Sequence, residues 1–592
     1  MSIEINIRGL IYLKSKKMMV ILLTATMITS SILIGCGETN NKKDNNKKEA
    51  SATEDKNSKG GDAGEKMDED QHFNILLGTD PKTLDASKST DTIASELFVN
   101  TMETLTRLEE DKDGNFKVVP GVAKEWKKSE DGLKWTFTLR DSNWSDGKAV
   151  TVDDFIYSWT RTLNPKTAAQ YAQILYPIKN AIEFNKGKAS AEDLGLKKVD
   201  EHTFEVELAS PCPYFLDLTY FTTLVPQRKD IVEKYGDKYG TERENVIFNG
   251  PFVISDWKHD NEIILEKNPE YWDKEAVKLD KVSMRVIKEP NAVMNEGMNG
   301  NLDAFRVSKP EWVKKFDETK EYEVKHDFAG SSWYLLFNQN NKYLKNAKIR
   351  KAISIALDRE GICKTLDKGL TEPATAYCPP KVNIGEDEFR KVVNKNYIDE
   401  IKKENDGKTP KDLLVEGLKE INEDPDPSKV TITLLQQEGG SVSKENGEYI
   451  QDNFKKELGI NLQIDNQQFA IVQKQMEALN YDIASAGWKG DYNDPNTFFE
   501  VFKSDSILQP TGWKNEEYDK LIQKAANTLD KKERAKIFAD AEEILLSKDA
   551  VLAPMKYETT NTYVRKCVKK YSNPIWSHRD FKNTYISGRE GK

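Results

Sequence analysis

The stretch Asp482-Ile-Ala-Ser-Ala-Gly-Trp-Lys-Gly-Asp-Tyr-Asn-Asp-Pro-Asn-Thr-Phe498 decides how the rest of the chain is interpreted. Its first residues are small or β-branched, which suits a buried strand. Gly487 and Gly490 leave the backbone bare near the strand end, where a ligand or another chain could come close. Asp491 adds one carboxylate just past the strand, and Asp494-Pro495 is a turn signal. The pattern predicts a short strand that ends at a carboxylate.

Spacing alone leaves two interpretations of this stretch open. An extended peptide could pair with the strand edge through backbone hydrogen bonds, and its α-ammonium could then meet Asp491. A hydrogen bond of this charged kind is worth about 1.5–3 kcal/mol. In the other interpretation the strand is buried, a polar turn follows it, and Asp491 caps its own loop.

Ala486-Gly-Trp-Lys-Gly-Asp-Tyr-Asn-Asp-Pro495 resembles the AGW-x-x-DYN-[DE]-P segment of the oligopeptide-binding proteins of peptide ABC transporters, in solute-binding protein family 5. In that family the aspartate holds the amino terminus of the peptide, and the strand pairs with the peptide backbone. The resemblance gives the first role to Asp491 and the second to Gly487, Trp488 and Lys489. Lys489 also stands where some enteric relatives carry a disulfide cysteine, so that bond is not expected here.

Other motifs of the same family follow one another along the chain. Asp80-Pro-Lys-Thr-Leu-Asp85 resembles its opening motif, and Trp144 begins its W-[ST]-D-G signature, which leads into a predicted helix capped by Thr151. Asn249-Gly-Pro-Phe and Asn268-Pro-Glu-Tyr-Trp272 resemble two more of its motifs. The resemblance therefore covers nearly the whole chain from Phe73 onward.

The resemblance also assigns ligand-binding roles outside the opening stretch. Thr90, Asp91 and Thr92 lie where the family has a second peptide-pairing strand. The alternative for them is a surface loop before a helix over residues 93–102. Tyr171 would line the cleft in the family, and the alternative for it is a core tyrosine.

The amino terminus has the pattern of a lipoprotein signal peptide over residues 1–35. Lysines at positions 14, 16 and 17 precede one long apolar run that ends at Cys36. Leu33-Ile-Gly-Cys36 resembles the lipobox of bacterial lipoproteins, which implies cleavage before Cys36 and a lipid on its sulfur. An uncleaved anchor would give the same location. Residues 36–72 are polar and charged, and we expect a flexible tether that spans about 30–35 Å.

Composition excludes several classes of function. The formal net charge is -10, so there is no basic excess that would indicate nucleic acid as a partner. The chain lacks the GxxxxGK[ST], HExxH, CxxC and GxSxG motifs, and its 5 histidines are isolated from one another. We therefore expect neither an enzyme, nor a cofactor, nor a metal site. After Cys36, Cys212, Cys363, Cys378 and Cys567 remain, and either a Cys363–Cys378 disulfide or four buried thiols fits the sequence.

Periodicity predicts further elements in the carboxy-terminal half. Residues 333–338 are predicted to form a central strand, and residues 430–464 are predicted to form a strand–helix–strand unit with parallel strands. Residues 518–546 should form two helices, and residues 551–555 a last buried strand. Residues 386–424 are charged and predict a helical insertion on the surface.

The resemblance implies an α/β fold of the class II periplasmic binding proteins, cluster C, in which two hinged α/β lobes are joined by an extra subdomain. A chain of 592 residues is also too long for one hydrophobic core. The expected boundaries are residues 73–98, 227–330 and 587–592 for lobe I, 99–226 for lobe II (the extra subdomain), and 331–586 for lobe III with the peptide-pairing strand.

The function that follows is capture of oligopeptides at the outer face of the bacterial cytoplasmic membrane. The expected partners are short peptides, the permease subunits of an ABC transporter and the membrane that holds the lipid of Cys36, and the chain is expected to be a monomer. Open alternatives are signalling peptides, a non-peptide ligand such as nickel, haem or a sugar, and a secreted hydrolase. Ser485 stands where some relatives carry an arginine, so their recognition of the peptide carboxylate is not transferred.

Overall fold

A computed structural model describes residues 66–111, 116–307, 310–438 and 440–589. The predicted signal peptide, the predicted lipid site at Cys36 and most of the predicted tether lie outside these residues. Within them, no helix combines the length and the apolar character that crossing a membrane requires.

The elements between residues 66 and 226 begin with one strand of the main sheet and continue into a smaller sheet. They are β1 (His72–Leu76), α1 (Thr92–Thr101), β2 (Thr106–Glu110), β3 (Phe116–Pro120), β4 (Ala123–Lys128), β5 (Lys134–Leu139), α2 (Val152–Leu163), α3 (Ala181–Asn185), β6 (Leu196–Lys198), β7 (Thr203–Glu207) and α4 (Phe215–Leu218).

The elements between residues 227 and 337 return to the main sheet. They are α5 (Lys229–Tyr235), β8 (Phe252–Lys258), β9 (Glu262–Lys267), β10 (Lys281–Arg285), α6 (Pro290–Met298), β11 (Ala304–Arg306), α7 (Pro310–Thr319) and β12 (Tyr322–Phe337).

The remaining elements belong mostly to the carboxy-terminal half of the main sheet and its covering helices. They are α8 (Ala347–Ala356), α9 (Arg359–Gly361), β13 (Thr371–Pro373), β14 (Asn383–Ile384), β15 (Asp387–Glu388), α10 (Phe389–Val392), α11 (Tyr397–Glu404), α12 (Pro410–Glu420), β16 (Thr431–Gln437), α13 (Gly440–Glu457), β17 (Asn461–Gln467), α14 (Phe469–Glu477), β18 (Ile483–Lys489), α15 (Asn496–Phe499), α16 (Glu516–Asn527), α17 (Lys531–Glu543), β19 (Leu552–Arg565), β20 (Val568–Lys569) and β21 (Tyr585–Ile586).

The main sheet of the described residues is mixed and has the order β17-β16-β18-β12-β19-β11-β1-β10-β9-β8, with β13 also paired to β19. β16 and β17 are parallel and are separated by α13, as predicted for residues 430–464. A second sheet, β4-β5-β7-β6, lies within the predicted lobe II. Alternating apolar residues of β5 and β7 fill its core, where Phe204 packs edge-on against Trp159 of α2.

Two long antiparallel strands, β12 and β19, connect the halves of the main sheet. The first half of β12 pairs with residues 559–565, the second half pairs with residues 552–557, and the register shifts between Phe328 and Ser332. Gly330 lies in this irregularity with a φ of 68°. Only glycine adopts such a φ at no steric cost, so the irregularity needs a glycine at this point. It adjoins the predicted boundary at residues 330 and 331, although the lobe boundaries themselves stay a prediction.

Several predicted elements are confirmed, and others need correction. The strand predicted at residues 333–338 is the end of the longer β12, and that at 551–555 is the start of β19, which β20 and β21 follow. Residues 386–424 do form helices, but Phe389, Tyr397 and Leu413 are fully buried, so the segment is part of the core. Thr90, Asp91 and Thr92 form no strand, because they lead into and begin α1.

The cysteine alternatives are also resolved for the described residues. All four thiols are buried and unbridged, so the possible Cys363–Cys378 disulfide is not formed. Burial raises the pKa of Cys363 and Cys378 above the usual value for a thiol, which keeps them protonated and unreactive at neutral pH.

Candidate functional site

β18 has a ladder partner along its whole length on one side only. On that side it is antiparallel to β12, from Ile483 opposite Phe337 to Lys489 opposite Ser331. On the other side it is parallel to β16, and only Ile483 and Ala484 have partners there. Residues 485–489 therefore have an edge without a ladder partner, which is the kind of edge to which an extended peptide can add by hydrogen bonding.

Gly487 and Trp488 of β18 also make packing contacts within the chain. A Cβ on Gly487 would lie 3.0 Å from the ring of Trp333, so Gly487 makes room for an aromatic ring of the chain itself. The indole N–H of Trp488 donates to the backbone carbonyl of Thr497 at 2.8 Å, and its ring packs against the core beneath the sheet. Any ligand role of Gly487 and Trp488 is thus confined to their backbone groups.

The loop after β18 is held by a buried ion pair. Both carboxylate oxygens of Asp494 accept from Arg534 of α17, at 2.5 and 2.7 Å. Asp494 also accepts from the backbone N–H of Asn496 at 2.9 Å. Asp494, not Asp491, therefore caps this loop, and Asp491 contributes only its backbone N–H, which donates to Thr497 Oγ1 at 3.0 Å.

Asp491 faces a cavity of about 240 Å³ that is lined by five separate segments. The lining comes from the start of α1, from Tyr171, from the turn after α4, from the end of β18 and from a segment near the carboxy terminus. The lining residues are Ser89, Thr90, Asp91, Thr92, Ser95, Tyr171, Tyr220, Phe221, Thr222, Thr223, Lys489, Gly490, Asp491, Ile575, Trp576, Ser577 and His578.

The Asp491 carboxylate is enclosed, yet it makes no hydrogen bond or ion pair with any described residue. Burial raises its pKa to about 6, and the nearby Lys489 ammonium opposes that rise. An ionised carboxylate in such a place is partly removed from water and has no partner among the described residues. It is therefore a ready acceptor for a cation that enters the cavity.

The opposite wall of the cavity also has polar atoms without partners among the described residues. Asp91 caps α1 by accepting from the N–H of Ala94 at 2.8 Å through Oδ1, while its buried Oδ2 has no hydrogen-bond partner. The buried Oγ of Ser89 likewise has none. Buried polar atoms are normally hydrogen-bonded, so these two atoms are free to bind water or a ligand.

Two further groups complete the lining. The ring of Tyr171 lies 5.6 Å from that of Phe221, and burial raises the pKa of its hydroxyl, with a smaller contribution from Asp491. Burial lowers the pKa of His578 to about 3, and the nearby Lys489 and Arg579 lower it further. His578 is thus a neutral imidazole at physiological pH, able to donate or accept a hydrogen bond.

Comparison with known proteins matches this arrangement to one family. The profile described as "Bacterial extracellular solute-binding proteins, family 5 Middle" matches residues 117–509. The chain belongs to this family. Its fold is accordingly the α/β fold predicted above, with two hinged lobes and an extra subdomain.

Individual members of family 5 are similar over nearly the whole chain. The "Oligopeptide-binding protein OppA" of Bacillus subtilis is 34% identical over 521 residues, which are 87% of this chain and 92% of that protein. The substrate-binding domain of an oligopeptide ABC transporter from Bacillus anthracis is 35% identical with a TM-score of 0.72, covering 88% of this chain and 100% of that structure. Haemophilus influenzae OppA, solved in complex with RPPGFSPFR, is 27% identical with a TM-score of 0.70, over 88% of this chain and 100% of that structure.

Against this family background, six of the eight predicted peptide-binding residues line one cavity, and Gly487 and Trp488 do not. The six are Thr90, Asp91, Thr92, Tyr171, Lys489 and Asp491. Sequence reasoning missed Tyr220 and His578, because they lie in segments that only the fold brings to Asp491, and it missed Ser89, which directly precedes the predicted Thr90. His578 was interpreted as one of several isolated histidines, and its position in the sequence contains no signal of the site. The peptide-binding roles themselves remain predictions.

Among the described residues, no group of three or more His, Cys, Asp or Glu side chains is placed to hold a metal ion. The polar atoms of the cavity instead suit a ligand that offers an ammonium and several hydrogen-bond donors.

Proposed function

We propose that this protein captures oligopeptides by their amino terminus and delivers them to the permease of an ABC transporter for import. The observation that carries the proposal is the Asp491 carboxylate in the cavity, which has no partner among the described residues and lies at the end of an unpaired strand edge. An α-ammonium would supply both the charge and the hydrogen bonds that this carboxylate lacks. The names of the relatives, which describe oligopeptide-binding proteins, support the same function.

Geometry indicates how such a peptide would lie. Its amino terminus is at Asp491, so its chain runs from there along residues 489 to 485, antiparallel to β18. Five extended residues correspond to about 17 Å of edge. Backbone hydrogen bonds to that edge would be the same for every sequence, and Ser89 and Asp91, each with one unsatisfied buried oxygen, line the same cavity.

Membrane attachment is part of the proposal. The lipobox-like Leu33-Ile-Gly-Cys36 would place a lipid on Cys36, and residues 36–72 would let the body reach a permease at the membrane. A Cys36→Ser chain should leave the membrane fraction of cells while it still binds peptide. Hydrolysis of ATP would belong to the transporter, so the protein itself is proposed to be a binding protein and not an enzyme.

The experiment is mass spectrometry of the small molecules that the purified protein releases on denaturation, followed by calorimetry with tetrapeptides. We expect a ladder of short peptides, and for Asp491→Ala an affinity that is about 10- to 100-fold lower, because one charged hydrogen bond is lost. Asp505→Ala is the matched control, since that carboxylate is 80% exposed and paired only with Lys503.

Absence of any peptide, together with no heat from a tetrapeptide mixture, would contradict the proposal and favour a non-peptide ligand. One dominant peptide in place of a ladder would indicate a receptor for a signalling peptide that uses the same site.

A further inference from the structure

The cavity contains a second charged group without a partner, the ammonium of Lys489. It lines the cavity two residues before Asp491 and makes no hydrogen bond or ion pair with any described residue. Partial desolvation at the cavity wall lowers its pKa, and the nearby Arg306 lowers it further, whereas Glu558 and Asp491 raise it. The exposed Lys489 and the half-buried Asp491 therefore line one cavity without forming an ion pair with each other.

The groups around Lys489 leave this end of the cavity positive. Arg306 of β11 adds a second cation, and His578 is neutral. Glu558 of β19 is the acid on this side, and it accepts from the indole N–H of Trp333 at 3.5 Å, without an ion pair to Lys489. The positive region near Lys489 thus lies beside the negative region near Asp491.

Spacing relates the two charges to a bound peptide. A peptide paired antiparallel to β18 advances by about 3.4 Å per residue, as β18 itself does, so two residues of either chain span about 7 Å. A ligand whose ammonium meets Asp491 would bring its third residue level with Lys489, and its second residue, one step nearer Asp491, would stay within reach of that long side chain. A carboxylate at either place would meet an ammonium that has no partner among the described residues.

We propose that Lys489 is a specificity-determining residue that binds a carboxylate of the ligand close to the ligand's amino terminus. The inference deepens the proposed function and rests on it. The carboxylate has two possible sources, the acidic side chain of a second residue in a longer peptide or the terminal carboxylate of a dipeptide. Both present the same chemistry to the same ammonium.

Calorimetry with two matched pairs of ligands distinguishes the sources. Ala-Glu-Ala against Ala-Gln-Ala tests the side chain, and Ala-Ala against Ala-Ala amide tests the terminal carboxylate. We expect the acid of at least one pair to bind 10-fold or more tightly than its neutral partner. Lys489→Met should abolish that preference, because the variant lacks the ammonium with which the carboxylate would pair.

Two variants serve as controls. Lys489→Arg retains the cation and should retain the preference, and Lys474→Met removes an exposed lysine on α14 and should change nothing. Equal binding within both pairs, or a preference that survives in Lys489→Met, would overturn the inference and leave the proposed function intact. Failure of the wild-type protein to bind any of the four ligands would overturn the proposed function and the inference with it.

Discussion

At the scale of single residues, the site depends on the Asp491 carboxylate, which has no hydrogen-bond or ion-pair partner among the described residues. Asp491 is enclosed by the cavity, so its pKa is raised to about 6, and Lys489 is too far away to form an ion pair with it. A group in this state binds a proton readily when the ligand is absent. The same group must be ionised to hold an ammonium, so proton binding and peptide binding compete.

The pH dependence of peptide binding follows from that competition. Because the bound ammonium favours the ionised form, affinity should be highest near pH 7 and fall by up to about 10-fold per pH unit below pH 6. Calorimetry with one neutral tetrapeptide at pH 7.5, 6 and 5 measures this fall. Asp491→Asn should bind weakly with no such fall, and a wild-type affinity that does not change between pH 7.5 and 5 would contradict the assignment of Asp491.

The two glycines near this carboxylate make room for aromatic side chains of the chain itself. A Cβ on Gly490 would come within 2.8 Å of the rings of Phe498 and Trp576. Gly487 is covered by Trp333 in the same way. The bare backbone predicted from the sequence exists at both positions, but rings of the chain itself occupy the space, and the ligand would have to use the strand edge.

At the scale of elements, the loop between β18 and α16 is the support of the site. Tyr492 stacks on Tyr214 at 4.7 Å, which connects this loop to the segment that carries α4. The hydroxyl of Tyr492 and the amide of Asn496 both donate to the carboxylate of Glu500, each at 2.9 Å. Burial nevertheless raises the pKa of Glu500 to about 7, because two hydrogen bonds do not replace its hydration.

Glu500 makes the stability of the fold depend on pH in a defined direction. The pKa of Glu500 in the folded protein lies above its model-peptide value of about 4.3. The contribution of Glu500 to the free energy of unfolding is therefore fully present below about pH 4.3 and is lost as the pH rises through 7. Glu500→Gln should therefore gain stability relative to wild type between pH 5 and pH 8, by up to about 3 kcal/mol at 1.36 kcal/mol per pKa unit.

Denaturant unfolding at the two pH values measures this change. Glu516→Gln is the matched control, because that carboxylate is 93% exposed and, among the described residues, pairs with Lys520 at the surface. The burial argument would be refuted if the free energies of unfolding of Glu500→Gln and wild type differed by the same amount at pH 5 and at pH 8.

At the scale of the whole molecule, the strand irregularity and the site share backbone and side-chain contacts. The N–H of Gly490, beside Asp491, donates to the carbonyl of Gly330 at 3.1 Å. A Cβ on Gly330 would lie 2.9 Å from Ile575 and 3.0 Å from Trp576, and both residues line the cavity. The point where β12 changes register is therefore in contact with residues that line the cavity of Asp491.

Gly330→Ala tests this connection. The variant should lose about 1–2 kcal/mol of stability, because a left-handed φ is unfavourable for alanine, and it should also bind tetrapeptides more weakly, because Ile575 and Trp576 must shift. Gly187→Ala is matched in φ, at 71° against 68°, and has no atom within 4 Å of the new Cβ. Denaturant unfolding and calorimetry on both variants separate the effects, and equal peptide affinities would show that the contact with Gly330 does not matter for binding.

The sequence by itself determined the family, the α/β class and the position of most elements, since each depends on patterns within about thirty consecutive residues. It also identified Asp491, because a carboxylate just past a strand end is a local feature. The sequence could not decide whether Asp491 binds a ligand or caps its own loop, because that depends on whether Asp494 already caps the loop.

Only the tertiary structure decided what surrounds Asp491. Ser89 and Asp91 come from the start of α1, and His578 from nearly five hundred residues later, and the order of strands in the main sheet brings these segments together. It also decided that Gly487 and Trp488 serve packing while Lys489 faces the cavity. The physical reason is that side-chain direction and burial depend on which strands lie on either side of β18, and strand pairing is not a local property of the sequence.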